Sequence, residues 1–165
     1  MICVIDDVLS DIEREVVRDY FLSLNASSKF YWADGSFEKI VSYGSPLSKL
    51  LLAANKYVDL SLMVGCEYWS HLNTKAGWHK DTDETFLYRD KIEKFPICSC
   101  VYYPEVKVSL GGDLVFETMR IKPITNRLVV FSPNMLHSVE SFMGERLAVA
   151  VNAWNYKLEH ACQSE

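Results

Sequence analysis

Residues 144–154 read G-E-R-L-A-V-A-V-N-A-W, and the architecture can be worked out from this stretch. It alternates with a period of two, the mark of a strand, because successive side chains of extended backbone point to opposite faces. Leu147, Val149 and Val151 fall on one face, where helices can cover them. Arg146, Ala148, Ala150, Asn152 and Trp154 fall on the other. A guanidinium with only methyl groups above it leaves room for a small dicarboxylate, which its planar fork can grip with two parallel hydrogen bonds.

Moving upstream, the chain from residue 62 is written in short runs of Val, Ile, Tyr, Phe and Trp, punctuated by Gly, Pro, Asn and Asp. The runs predict strands over 62–72, 97–104, 113–119, 124–131, 136–142 and 146–156. The text before them is helical. Residues 8–24 carry a cap at Ser10 or Asp11 and apolar positions at Ile12, Val16, Val17, Tyr20 and Phe21. A second helix follows Pro46, with Leu47, Leu50, Leu51, Ala54 and Val58 on one side. Repeats, low-complexity segments and linkers are not evident. The expectation is one domain over 1–165, a helical lead-in (1–60) and a β-core (62–156). The class is mainly β (α+β), a sandwich or barrel with the N-terminal helices packed on one sheet.

Composition narrows the partners. The net charge of -5, with no dense basic patch, argues against nucleic acid. No apolar run approaches the ~20 residues that span a bilayer. The first seven residues turn acidic without a basic leader, which argues against a secretory signal. Five cysteines, an odd number without small-domain disulfide spacing, suit reduced thiols in a cytoplasmic setting. Cys98 and Cys100, two apart on an expected strand, read as packed thiols rather than a metal site.

Four histidines are present, at 71, 79, 137 and 160. In Trp78-His79-Lys80-Asp81, an imidazole and a carboxylate two positions apart share one face of extended backbone and can grip one cation together. His137 follows the Ser132-Pro133-Asn134 turn at the start of another strand and can supply a third ligand. Two histidines and one carboxylate form the facial set of non-haem iron(II) oxygenases, although zinc accepts the same donors. Arg146 comes nine positions after His137, past a turn containing Gly144.

Taken together, residues 62–156 resemble the 2-oxoglutarate/iron(II) dioxygenase superfamily, particularly its prolyl-hydroxylase-like branch. The matching segments are W-H-K-D (78–81), S-C-V-Y-Y (99–103), G-G-D-L-V-F (111–116), N-R-L-V-V-F-S-P (126–133), L-H-S-V (136–139) and 144–154. The resemblance implies a double-stranded β-helix, a jelly-roll of two sheets with the metal near its open end. It implies Fe(II) on His79, Asp81 and His137, with 2-oxoglutarate as cosubstrate and O2 as oxidant. Arg146 and Tyr103 match the residues that hold the distal carboxylate of 2-oxoglutarate. Leu114 would line that pocket, and strand alternation groups Ser99 and Val101 on the face of Tyr103. The activity implied is oxidative decarboxylation of 2-oxoglutarate to succinate, coupled to C–H hydroxylation.

The substrate is less legible. The expectation is a peptidyl substrate, a prolyl or other amino-acid residue, or else a small molecule. Trp69, His71, Asn152 and Trp154 are the candidate substrate walls, with Trp78 and Tyr102 beside them. Asn152 stands where prolyl hydroxylases often carry Trp. The charged segment 82–96 can cover the metal mouth, and Lys80 and Asp83 can steer a charged substrate. Two alternatives stay open: an oxygenase of a small metabolite, and a non-catalytic jelly-roll binding module with a vestigial metal site. The oligomeric state is left open.

Overall fold

The computed structural model describes residues 1–24 and 30–159, so His160 and the fifth cysteine, Cys162, lie outside the described residues. In chain order the elements are β1 (Ile2–Ile5), α1 (Asp11–Ser23), β2 (Tyr31–Asp34), α2 (Phe37–Ser42), α3 (Pro46–Ala54), β3 (Gly65–Leu72) and β4 (Ala76–His79). They continue as α4 (Glu84–Asp90), β5 (Cys98–Gly111), β6 (Leu114–Phe116), β7 (Arg120–Ile121), β8 (Arg127–Phe131), β9 (His137–Val139) and β10 (Phe142–Trp154). Every strand pairing is antiparallel. The larger sheet runs β1-β8-β5-β10-β3-β2 and the smaller runs β4-β9-β6-β7. Two facing sheets of this kind make a jelly-roll.

The helices start where their caps dictate. Ser10 accepts the Glu13 N–H while the Glu13 carboxylate takes the Ser10 N–H, a reciprocal pair that satisfies two otherwise orphaned donors of α1. Ser45 and Ser48 do the same for α3, with Pro46 pre-set in its first turn. The buried stripe of α1 differs from the expected one. Val17 and Phe21 are buried, whereas Ile12 is 77% and Val16 54% exposed. At 100° per residue Val16 lies too far round the helix from Val17 for both to meet one sheet. The lead-in also departs from an all-helical reading. Ile2–Ile5 pairs with β8 and Tyr31–Asp34 with β3, extending the large sheet at both edges.

The alternation along β10 sorts two cores. Val149, Val151 and Ala153 pack with Val17, Phe21, Ile40, Leu50 and Leu51 under the helices. Ala148 faces the other way, into the space between the sheets, with Tyr103, Leu114, Phe116, Val129 and Phe131. Trp154 ends the strand against Trp32 and Leu158. Among the described residues, no helix is long and apolar enough to cross a membrane.

Candidate metal centre and its two chambers

The three expected ligands come together at the rim of the jelly-roll. His79, Asp81 and His137 each offer a ligand atom, and these atoms lie within 4.8 Å of one another. Two elements bring this about. His79 at the end of β4 is directly opposite His137 at the start of β9. The Asp81 N–H donates to the Pro133 carbonyl, which ties the H-x-D segment to the turn preceding His137.

Backbone carbonyls set the tautomers. The Nδ1 of His79 lies 2.7 Å from the Gly77 carbonyl, and that of His137 lies 2.9 Å from the Met135 carbonyl. A carbonyl can only accept, so both Nδ1 atoms carry the proton and both Nε2 atoms present lone pairs. Each Nε2 stands 3.8 Å from an oxygen of the Asp81 carboxylate, beyond hydrogen-bond range. Two imidazole lone pairs and a carboxylate converging without a proton between them are complementary to a cation. Burial between Phe116 and Phe131 lowers the His137 pKa and favours the neutral, metal-binding form.

Behind the triad lies an inner chamber lined by Tyr103, Leu114, Val139, Arg146, Ala148 and Ala150. Arg146 is 2% exposed, and Asn73 holds its backbone from both sides. Its Nη1 donates to the Gly112 carbonyl and its Nη2 to the Thr74 carbonyl, each at 2.9 Å. The Nε–H and the Tyr103 hydroxyl, both buried, have no partner among the described residues. Burial pushes the Tyr103 hydroxyl up to about 12, so it remains a donor, while burial pulls the Arg146 pKa down. Two orphaned donors beside a desolvated guanidinium cost stability unless an anion completes them. A dicarboxylate with one end at Arg146 and the other toward the triad fits this donor set.

The outer chamber, about 210 Å³, opens on the other side of the triad. Trp69, His71, Asn152 and Trp154 all line it, together with Glu67 and Phe30. The Trp69 indole donates to His71 Nε2 at 2.8 Å, which fixes that wall. Segment 82–96 contains a short helix, α4, and lines the chamber through Thr82, Asp83 and Glu84 at the start of that helix. Asp83 caps this helix through the N–H groups of Thr85 and Phe86 and accepts the Tyr156 hydroxyl at 3.1 Å. Ser99 is buried but lines neither chamber, and its hydroxyl also lacks a partner among the described residues. Tyr102 faces the helices and donates to Asn126 at 2.9 Å, and Trp78 lies exposed outside both chambers. Glu67 belongs to no motif of the sequence, and its alternation with Trp69 and His71 is what places it on their face.

A family model described as the 2OG-Fe(II) oxygenase superfamily matches residues 65–154. A search of curated proteins returns no match. Among solved structures, a Pseudomonas putida prolyl-4-hydroxylase is similar with a TM-score of 0.64 at 19% identity, covering 94% of this chain and 88% of that one. The viral collagen prolyl hydroxylase of Paramecium Bursaria Chlorella virus-1 is similar at TM-score 0.58 and 18% identity, covering 91% and 88%. A Trichoplax adhaerens prolyl hydroxylase, solved with a hypoxia inducible factor oxygen degradation domain peptide fragment, gives 0.54 and 16%, covering 93% and 83%. These likenesses establish the same jelly-roll.

Proposed function

The chain belongs to the 2OG-Fe(II) oxygenase superfamily and is a 2-oxoglutarate-dependent dioxygenase using Fe(II) and O2, and from that premise we propose that it is a C–H hydroxylase of an amino-acid residue in a peptide. The observation that carries this reading is the shared cavity. The three convergent ligand atoms and the two orphaned donors of Arg146 and Tyr103 open onto the same inner chamber.

In this reading His79, Asp81 and His137 hold the iron, and Arg146 with Tyr103 receives the distal carboxylate of 2-oxoglutarate. The iron, when bound, supplies the oxidising power that couples decarboxylation of 2-oxoglutarate to oxidation of a C–H bond. The protein contributes position and dryness. Leu114 and Val139 close the inner chamber with apolar surface, and the methyl groups of Ala148 and Ala150 keep it wide enough for a small diacid. Asp81 remains a carboxylate ligand, which favours hydroxylation over halogenation. The peptidyl preference draws on the outer chamber beside the triad and on the jelly-roll shared with prolyl hydroxylases, one of them solved with a peptide. Ser99 lines neither chamber and is left out of the cosubstrate set.

The test is succinate release from 2-oxoglutarate with Fe(II) and oxygen, followed by a peptide screen for the gain of one oxygen. Succinate from the wild type and none from His79→Ala is the expected result. Equal, background-level succinate from both overturns the assignment.

A further inference from the structure

Trp69 and His71 share one face of β3 and border both chambers. Across the ladder they stand opposite Ala150 and Ala148, the two alanines of the inner chamber. The direction of the hydrogen bonds here follows from the chemistry of the rings. An indole N–H can only donate, so the 2.8 Å contact from Trp69 makes His71 Nε2 an acceptor. Burial first, then the charges of Arg146 and His79, lowers the His71 pKa and keeps the ring neutral. A neutral imidazole that accepts at Nε2 carries its proton at Nδ1. That proton goes to the Thr74 hydroxyl, 3.0 Å away.

Thr74 belongs to the turn between β3 and β4, and this turn is built around Arg146. Asn73, left-handed at φ 56°, accepts the Arg146 N–H on its side-chain oxygen at 2.7 Å. It returns its own N–H to the Arg146 carbonyl at 2.9 Å. Asparagine is among the few side chains that adopt this backbone conformation readily. The next residue supplies the Thr74 carbonyl to Nη2, while the Gly112 carbonyl takes Nη1. Two carbonyls on separate segments thus hold the guanidinium, and its buried Nε–H stays without a partner among the described residues. Thr74 itself is exposed and lines neither chamber, and its hydroxyl is tied to the fold through His71. The chain of contacts therefore runs from the indole through the imidazole and the Thr74 hydroxyl to the carbonyl that orients Arg146. At its outer end Trp69 meets Phe30 edge to face, with ring centroids 5.0 Å apart, on the wall of the outer chamber.

We propose that His71 is a positioning residue for 2-oxoglutarate: held by the Trp69 indole, it fixes through Thr74 the carbonyl that orients the Arg146 guanidinium. This rests on the oxygenase reading of the inner chamber, and it gives His71 a task at the cosubstrate end of the site as well as on the substrate wall.

The test measures 2-oxoglutarate affinity by calorimetry on the full chain loaded with manganese(II). Thr74→Val removes the hydroxyl from an exposed turn and keeps the carbonyl and the branched shape, so the fold is retained. It is expected to weaken 2-oxoglutarate about 5-fold, within the range of one neutral hydrogen bond. His71→Phe, which keeps a ring and loses both nitrogens, should weaken it by a similar factor. Thr74→Ser keeps the hydroxyl and should restore wild-type affinity. Trp69→Phe removes the donor that fixes the imidazole tautomer and should also weaken binding. Combined with Thr74→Val it should add nothing further, because both changes cut one chain of contacts. Losses that multiply in this double variant overturn the proposal, since they would mean that Trp69 meets the diacid directly. So does Thr74→Val binding like wild type, Thr74→Ser binding as weakly as Thr74→Val, or a parallel fall in manganese(II) affinity. The wild type is read separately. Absence of both 2-oxoglutarate binding and succinate release sinks the oxygenase reading, whereas wild-type binding with no loss in Thr74→Val sinks only the role of His71.

Discussion

His79 and His137 stand directly opposite each other on β4 and β9, with ring centroids 4.2 Å apart and both Nδ1 atoms tied to the carbonyl two residues earlier. The ladder aims two lone pairs at Asp81 before any ion arrives. Preorganisation of this kind leaves little ordering to be done when the metal binds.

Asp81→Asn is therefore expected to separate metal affinity from folding. Manganese(II) affinity, measured by calorimetry, should fall beyond the roughly 10–100-fold loss typical of a group outside the ligand set. The melting temperature of the metal-free protein should not drop, because the Asp81 carboxylate lies 3.8 Å from both imidazoles and accepts no hydrogen bond from them. A metal-free variant that melts well below wild type would show instead that Asp81 is a structural residue.

Tyr103→Phe should act in opposite directions on stability and cosubstrate binding. The hydroxyl is buried without a partner among the described residues, so its removal relieves a desolvation cost on the order of 1 kcal/mol and raises the melting temperature of the free protein. The same change should raise KM for 2-oxoglutarate by about 10-fold, the loss of one hydrogen bond to a charged group. A lower melting temperature together with an unchanged KM contradicts both halves.

Arg146→Lys keeps the charge and loses the fork. The carbonyls of Gly112 and Thr74 can no longer both be met while a carboxylate is also gripped. KM for 2-oxoglutarate should rise by roughly 10- to 100-fold, since hydrogen bonds to charged groups are worth about 1.5–3 kcal/mol. Manganese(II) affinity should stay within about threefold, because Arg146 is not among the ligand atoms. A parallel loss of metal affinity would place Arg146 in the frame of the metal site instead.

Glu13 predicts the acid limb of stability. Its hydrogen bond to Lys49, then the Ser10 cap, lowers its pKa from 4.5 to about 2. A carboxyl lowered by folding stabilises above its unfolded value. That contribution is present above about pH 4.5 and fades as the pH falls toward 2. Thermal melts of Glu13→Gln should be lower than wild type near neutrality and converge with it by about pH 2. A constant difference across that window would assign the effect to the helix cap alone.

The legible parts of the fold are those with a local period or a local cap. The faces of β10 follow from alternation, and the α1 and α3 starts follow from Ser10 and Ser45 with their partners three residues on. The α1 stripe was harder, since Ile12 and Val16 are as apolar as Val17 and Phe21, and only the angle of docking chooses between them. Strands β1 and β2 are too short to announce themselves and exist because β8 and β3 offer open edges. The place of Glu67 on the face of Trp69 and His71 follows from alternation, whereas its pairing with Asn152 across β3 and β10 does not.

Chain chemistry alone settled which donors this protein owns, and which of them share a strand face, because side-chain direction in extended backbone repeats every two residues. Folding settled which of those donors meet, which stay unanswered, and where one cavity becomes two. Those outcomes depend on pairings such as β3 with β10 and β4 with β9, between segments far apart in the chain, and no local period encodes such a register.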